Sequence, residues 1–277
     1  MMTKTACLIL NRNLPEITDA LCEQVRQSAD YNNEVDVFVI EAGSDHRNLS
    51  KYARWHAEWP EAMQHGLRYA RGMNFGLSEL WKEGSFSQYD FFFLVTNDTE
   101  FEPGPTIPKL CDVAMRHPHV GILSPCSRRW GERLILQEQE IKYFWFIHNS
   151  AYFIRRGFLE ALLDPQDPTW KSFVFDGNNF RGYGLEAEMI AKAYANDWAA
   201  AITTAVWSHE NEEHLLSKAD LIRTEPYEEN LKLYLVEGRQ WMKKKYGFNS
   251  RWSMQIYAKA FYDKFFEFHP EYSPFKI

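Results

Sequence analysis

The sequence predicts an α/β protein with a mixed, mainly parallel sheet flanked by helices and closed by a helical C-terminal extension. Three observations predict it. The chain opens strand, helix, strand, and such a β-α-β unit pairs its strands in parallel. The run "FFFLVTNDTEF" (Phe91 to Phe101) is apolar enough to be buried on both faces, as a central parallel strand is, and it stops abruptly at Thr96-Asn97-Asp98. From Glu210 onward the pattern turns helical, aromatic and basic.

The elements follow in order. "ACLIL" (Ala6 to Leu10) reads as a buried strand, Glu16 to Ala29 as an amphipathic helix and "VDVFVI" (Val35 to Ile40) as a second strand. After a loop holding Trp55, Trp59 and Pro60, the stretch from Met63 to Glu83 reads as helix. Its Gly66, Gly72 and Gly76 cost helix stability and mark close backbone approach. The Phe91 strand comes next, then a Pro103-Gly104-Pro105 turn, a helix from Ile107 to Arg116 and a strand from Val120 to Ser124. Further strands are expected near Arg133 to Gln137, Tyr143 to Ile147 and Ala151 to Ile154. A helix from Leu185 to Asn196 and a strand from Ala199 to Val206 complete the core.

Bulk properties narrow the function. The chain has 277 residues, of which 45% are hydrophobic, enough for one large catalytic domain plus an appendage. A formal charge of -7 and a pI near 5.8 argue against nucleic acid as main partner, since a phosphate-binding surface needs a basic excess. Cys7, Cys22, Cys111 and Cys126 form no C-x-x-C pair and fall in core segments, which reads as buried free thiols in a reducing compartment. The N-terminal apolar run breaks at once in "NRN", and no window approaches the roughly 18 apolar residues of a membrane helix. The expectation is a cytoplasmic protein, at most peripheral to the inner face of a membrane.

Asn11 follows the first strand, Glu41 ends the second and Asp98 ends the Phe91 strand. Asn11 or Glu41 alone reads more readily as a loop group or a helix cap. Together, if the strands are parallel neighbours, they open onto one rim of the sheet, where ligands of open α/β sheets bind.

These segments carry a resemblance. "LILNRNLPEITDAL" (Leu8 to Leu21) resembles the first strand and helix of GT-A fold, Rossmann-like glycosyltransferases, especially the large inverting family 2. "VFVIEAGSD" (Val37 to Asp45) resembles their acidic strand end, "FFFLVTNDT" their metal-binding strand end, "GYGLEAEM" (Gly182 to Met189) their acidic helix start and "VWSHEN" (Val206 to Asn211) their late histidine. The resemblance covers about Ala6 to Asn211. It implies a catalytic domain over 1–215, with nucleotide-sugar binding in about 1–125 and acceptor binding in about 126–215, followed by a helical extension over 216–277.

The implied reaction moves a sugar from a nucleoside-diphosphate sugar to a hydroxyl of a glycan or lipid-linked glycan, with inversion, in the assembly of a surface polysaccharide or similar conjugate. Negative charge grows on the departing diphosphate, and Mn2+ or Mg2+ held by carboxylate oxygens neutralises it. Asp98 is the expected ligand. It closes the triplet Thr96-Asn97-Asp98 or opens one ending at Glu100, and the resemblance adds His209 as a metal or diphosphate ligand. Arg71 and Asn74 fall on the helix that the resemblance turns toward the donor, where Arg71 can fork onto the diphosphate or simply be a solvated charge. Asn11, Glu41 and Asn97 complete the donor side.

A second carboxylate must take the acceptor's proton. Glu186 and Glu188 open a predicted helix after "RGYG". Spaced by two, they do not share a helical face, so one is the base and the other a helper or dipole partner. The resemblance gives Glu186 the base position. Trp130, Trp145, Tyr183 and Trp207 are candidates to stack on acceptor sugars or to fill the core, and Trp145, His148 and Asn149 lie in the implied acceptor region.

From Trp241 to Ile277, Lys243-Lys244-Lys245 precede Trp252, Tyr257, Phe261 and Phe265. Such a helix lies on an anionic membrane, joins a second copy or packs on the catalytic domain. Asp263, Glu267 and Glu271 dilute the positive charge and favour packing. The chain has no G-x-x-x-x-G-K-[ST], no G-x-G-x-x-G after the first strand and no G-x-S-x-G. The alternative from another class is a sugar-nucleotide or glycan-binding protein of the same fold without turnover.

Overall fold

The computed structural model describes residues 2–129, 131–136, 139–163 and 168–277. Strands β1 (Thr3–Asn11) and β2 (Asn33–Glu41) flank α1 (Pro15–Gln27), with a proline at its first turn where the missing N–H costs nothing. Edge strand β3 (Ala53–His56) is followed by α2 (Pro60–His65), α3 (Arg68–Lys82), β4 (Phe91–Thr96), β5 (Thr99–Phe101), α4 (Thr106–Arg116) and β6 (Val120–Ser127). Next come α5 (Glu132–Leu136), β7 (Ile141–Tyr143), β8 (Ala151–Arg155), α6 (Arg156–Leu162), α7 (Leu185–Ala195) and β9 (Ala199–Glu210). The C-terminal helices are α8 (Glu212–Ser217), α9 (Ala219–Ile222), α10 (Tyr227–Tyr246) and α11 (Arg251–Phe268).

All nine strands join one sheet in the order β3-β2-β1-β4-β8-β6-β9-β5, with β7 also on β9. The pairings of β1 with β2 and β4, of β2 with β3 and of β6 with β9 are parallel. Strands β8, β5 and β7 run against them, so six of nine point one way and the sheet is mainly parallel. The predicted parallel neighbours are in register, with Asn11 opposite Glu41 and Leu10 opposite Thr96. Phe91 to Val95 are buried throughout, which is why that run carries no polar alternation.

Four readings of the sequence need correction. The predicted helix from Met63 to Glu83 is two helices, broken where Gly66 and Arg68 take left-handed backbone angles (φ 70° and 54°). The expected strand from Arg133 begins instead as helix α5, with Gln137 outside the described residues. The strand expected at Tyr143 to Ile147 ends at Tyr143. The loop around Trp55 contains β3, whose exposed Ala53 and Arg54 leave no alternating signal. Gly72 and Gly76 do mark close approach, since a Cβ there would come within 2.3 Å of Leu10 and 2.4 Å of Ile40 side chains. Helix α3 therefore lies tight on β1 and β2.

The C-terminal helices pack on the α/β core. On α11, Met254, Ala258, Tyr262, Phe265 and Phe266 are buried, while Tyr257 packs against Tyr246, Phe248 and Phe261. Among the described residues no helix is long and apolar enough to cross a membrane.

Candidate functional site

Where β1, β2 and β4 end, the polar residues are knitted together. The Asn11 amide donates to both Glu41 carboxylate oxygens (2.9 and 3.1 Å), and its carbonyl accepts from Thr18 Oγ1 (3.0 Å) and from the Asn97 amide (3.2 Å). Glu41 also accepts from Ser44 Oγ (2.5 Å) and the Ser50 N–H (2.8 Å). A carboxylate has about four lone-pair sites, and all are taken here. Glu41 is fully buried, and its bonds brace the strand ends from within.

Above this network lies a cavity of about 500 Å³. Its floor includes Asn11, Arg12, Asn97 and Asp98, one wall comes from Gly66 to Tyr69, and its roof comes from Leu215 to Asn230. The roof belongs to the C-terminal helices, and Asn13 Nδ2 is bonded to the Leu221 carbonyl at 2.7 Å. Asp98 is half-buried. Burial pushes its carboxyl above the usual range, against the pull of hydrogen bonds from Thr96 and its own backbone, and Glu212 adds to the rise. Among the described residues no cation pairs with it.

Three arginines and Glu225 also line the cavity. Arg12 is anchored to the carbonyls of Ala42 (2.8 Å), Ala62 (3.0 Å) and Met63 (3.0 Å). Arg68 reaches Thr224, Glu225 and Asn230, and Arg223 lies beside them. Burial lowers both anchored guanidinium pKa values, and for Arg12 the neighbouring charge of Arg68 lowers it further. Arg12 Nε, Arg68 Nε and Tyr69 Oη are buried with no partner among the described residues. Sequence reading missed these arginines and the roof. Arg12 follows Asn11 directly and so carried a positional signal, but nothing in residues 215–230 pointed toward β1.

The remaining expected donor residues lie elsewhere. Arg71 does not line this cavity. It bonds the Gly177 carbonyl and Glu61 (2.7 Å each) in a neighbouring groove shared with Asp176 and Lys245. Asn74 is fully buried, its amide donating to the Phe175 carbonyl (2.8 Å) and accepting from the N–H groups of Val174 and Phe175 (3.0 Å each). It brackets the 174–175 backbone and does not line the Asp98 cavity. Exposed Glu100 pairs with His209 Nε2 at 2.9 Å across β5 and β9. The described residues that gather three metal-ligating groups do not include Asp98, Glu100 or His209.

Glu186 and Glu188 open α7 as expected, and both are buried. Neither lines the Asp98 cavity. Glu186 is paired with Arg251. Burial raises its carboxyl pKa against the pull of that guanidinium. Glu188 accepts from Lys245 Nζ (2.7 Å) and Tyr246 Oη (2.5 Å), with Lys192 Nζ at 3.6 Å. Of the aromatic candidates, Tyr183 is packed against Gly238 and Tyr234, Trp145 against Tyr262, and Trp207 lies under Arg128 at 3.7 Å. His148 Nδ1 is 3.5 Å from Glu210. Trp130 lies outside the described residues.

No protein-family model matches the chain, and no curated protein does. Solved structures do. A mannosyltransferase from Pyrobaculum calidifontis in complex with GDP-Man and Mn2+ is 13% identical over 94% of this chain and 74% of its own, at a TM-score of 0.50. GalNAc-T7 with UDP, GalNAc and Mn2+ is 8% identical over 89% of this chain and 57% of its own, at 0.51. The chain has the GT-A fold. At these identities the likeness is one of architecture, and in that architecture the cavity lies at the carboxyl ends of the parallel strands.

Proposed function

We propose that this GT-A chain is a glycosyltransferase that moves a sugar from a nucleoside-diphosphate sugar to a hydroxyl of a glycan or lipid-linked glycan acceptor, with inversion and with Mn2+ or Mg2+. The observation that carries the reading is Asp98, a half-buried carboxylate that no cation among the described residues pairs with, in an arginine-rich cavity at the strand ends. The donor set fits a hard divalent ion, which takes one or two protein carboxylates and completes its shell with phosphate oxygens and water. Asp98 would hold it, and when bound it would neutralise the departing diphosphate. Glu100 and His209, bonded to one another, stay outside that set.

Arg12 and Arg68 are suited to the diphosphate, because each keeps a buried N–H without a partner among the described residues. In the transfer the acceptor oxygen bonds to the anomeric carbon as the bond to the diphosphate oxygen breaks, and the hydroxyl proton passes to a carboxylate. Glu186 suits that role better than Glu188: its raised pKa favours accepting a proton, and among the described residues Arg251 is the one ion-pair partner to displace, against two lysines at Glu188.

The same ion pairs favour a second reading, a sugar-nucleotide or glycan-binding protein without turnover, because both acids are held by C-terminal cations. Thermal-shift screening against nucleoside diphosphates and their sugars, with and without Mn2+, tests the first half of the proposal. Metal-dependent stabilisation by one nucleotide is expected. Release of free nucleoside diphosphate on adding acceptor then separates the enzyme from the binding protein.

A further inference from the structure

A second group of potential metal ligands lies at the opposite edge of the parallel block from β4. His56 ends β3, His46 follows the end of β2, and Glu58 precedes α2. The ligand atoms these three residues offer all lie within 4.8 Å of one another. One carboxylate oxygen, Glu58 Oε1, is 3.2 Å from His46 Nε2 and 3.2 Å from His56 Nδ1.

The hydrogen bond on the far side of His56 fixes its chemistry. His56 Nε2 is 2.9 Å from the Ser44 carbonyl oxygen, which can only accept, so Nε2 carries the proton. In the neutral ring Nδ1 then presents a lone pair, and it faces the lone pairs of Glu58 at contact distance. That arrangement repels unless a positive charge, a proton or a metal ion, sits between them. An imidazole that donates its other N–H to a backbone carbonyl is also the usual way a metal-bound histidine is held in orientation.

The spacing suits a particular ion. Ligands about 2.0–2.1 Å from a tetrahedral zinc lie about 3.3–3.4 Å apart, close to both nitrogen–oxygen separations here. Two imidazoles and a carboxylate select a borderline transition ion over Mg2+ or Mn2+. We infer that His46, His56 and Glu58 form a Zn2+ site with water in the fourth position. The bound ion ties the loop after β2 to the segment entering α2. Ser44, whose carbonyl orients His56, also bonds Glu41 through its hydroxyl, so the clamp supports the strand-end network beneath the cavity.

The test is zinc affinity of the purified full chain, measured by competition with a chromophoric chelator. One Zn2+ per chain is expected, together with a rise in melting temperature. His46→Ala and Glu58→Gln, both at exposed positions, should each weaken that affinity at least tenfold and remove the thermal shift. His56→Ala should do the same, but it also loses the bond to Ser44, so His46→Ala decides if that variant fails to fold. Asp98→Ala should leave zinc affinity unchanged, because this site does not depend on the proposed transfer activity. Failure of the wild-type chain to take up Zn2+, or equal uptake by His46→Ala and Glu58→Gln, overturns the inference.

Discussion

Two acidic stations occupy positions that the GT-A resemblance marks, and the protein treats them differently. Asp98 stands at a strand end in a cavity, half-buried and, among the described residues, without a cation. Glu186 and Glu188 stand at a helix start, deeply buried, each held by charges from α10 and α11. A carboxylate already paired in the interior gives up several kcal/mol when its partner is removed, so an acid with no cation beside it is the easier one for an added ion to reach. An acid that is paired implies instead that its neighbours were built to hold it. In the proposed reading the first station takes its ligand directly, whereas the second must be opened by one.

The largest expected effect tests the first station. Asp98→Ala should reduce Mn2+-dependent transfer by about 10³-fold, the scale seen when one preorganised charge-stabilising group is removed. Asp98→Asn, which keeps the shape, should lose the metal-dependent part of nucleotide stabilisation while folding normally. Nucleotide release and thermal shift check both. Transfer within threefold of wild type in either variant would move the metal away from Asp98.

At the second station the two acids should separate. Glu186→Gln is expected to lower kcat by about 10²-fold, within the range for a general base, while Glu188→Gln falls less. The reverse order would assign the base to Glu188. Stability sharpens the point, because Arg251→Ala strands Glu186 as an unpaired buried charge. That variant should lose about 3 kcal/mol, and adding Glu186→Gln should recover most of it in a double-mutant cycle followed by denaturant unfolding.

The same contrast explains what was legible in the sequence. Strands β1 and β4 are buried on both faces, and β2 is buried along its last three residues, so their apolar composition announces them, and their polar ends follow from parallel pairing. Edge strand β3 is short and half-exposed and left no such mark. The run after Arg133 is apolar enough for a strand, yet its residues wind into α5. At the site, Asn11, Asn97 and Asp98 were readable because they sit at ends of elements. The inward turn of Glu41, the bracket made by Asn74 and the roof from residues 215–230 depend on which segments meet in space. The run Lys243 to Lys245 was visible as charge, but its target was not. Lys245 pairs with both Glu188 and Asp176.

That pairing has a pH signature. Burial would raise the Asp176 carboxyl, but hydrogen bonds from Lys245 and Trp241 overcome it and hold the pKa down to about 2. Since the unfolded value is near 3.9, the unfolded chain binds more protons between those limits. Asp176 therefore contributes stability that is fully present above about pH 5 and disappears as pH falls through about 2. Asp176→Asn should cost about 1–2 kcal/mol at pH 7 and progressively less in acid, as read from denaturant midpoints across pH.

The smallest effect belongs to Glu100 and His209, the acids' neighbours on β5 and β9. Their contact is between two exposed side chains, and such pairs contribute about 0–1 kcal/mol. His209→Ala should leave stability nearly unchanged and shift transfer by no more than a few-fold. The informative quantity is the Mn2+ concentration needed for half-maximal activity. If Asp98 is the protein's ligand and His209 is only Glu100's partner, that concentration is the same in His209→Ala as in the wild type. A tenfold rise would mean that His209 leaves Glu100 when the ion binds, and that the first station, like the second, is assembled by its ligand.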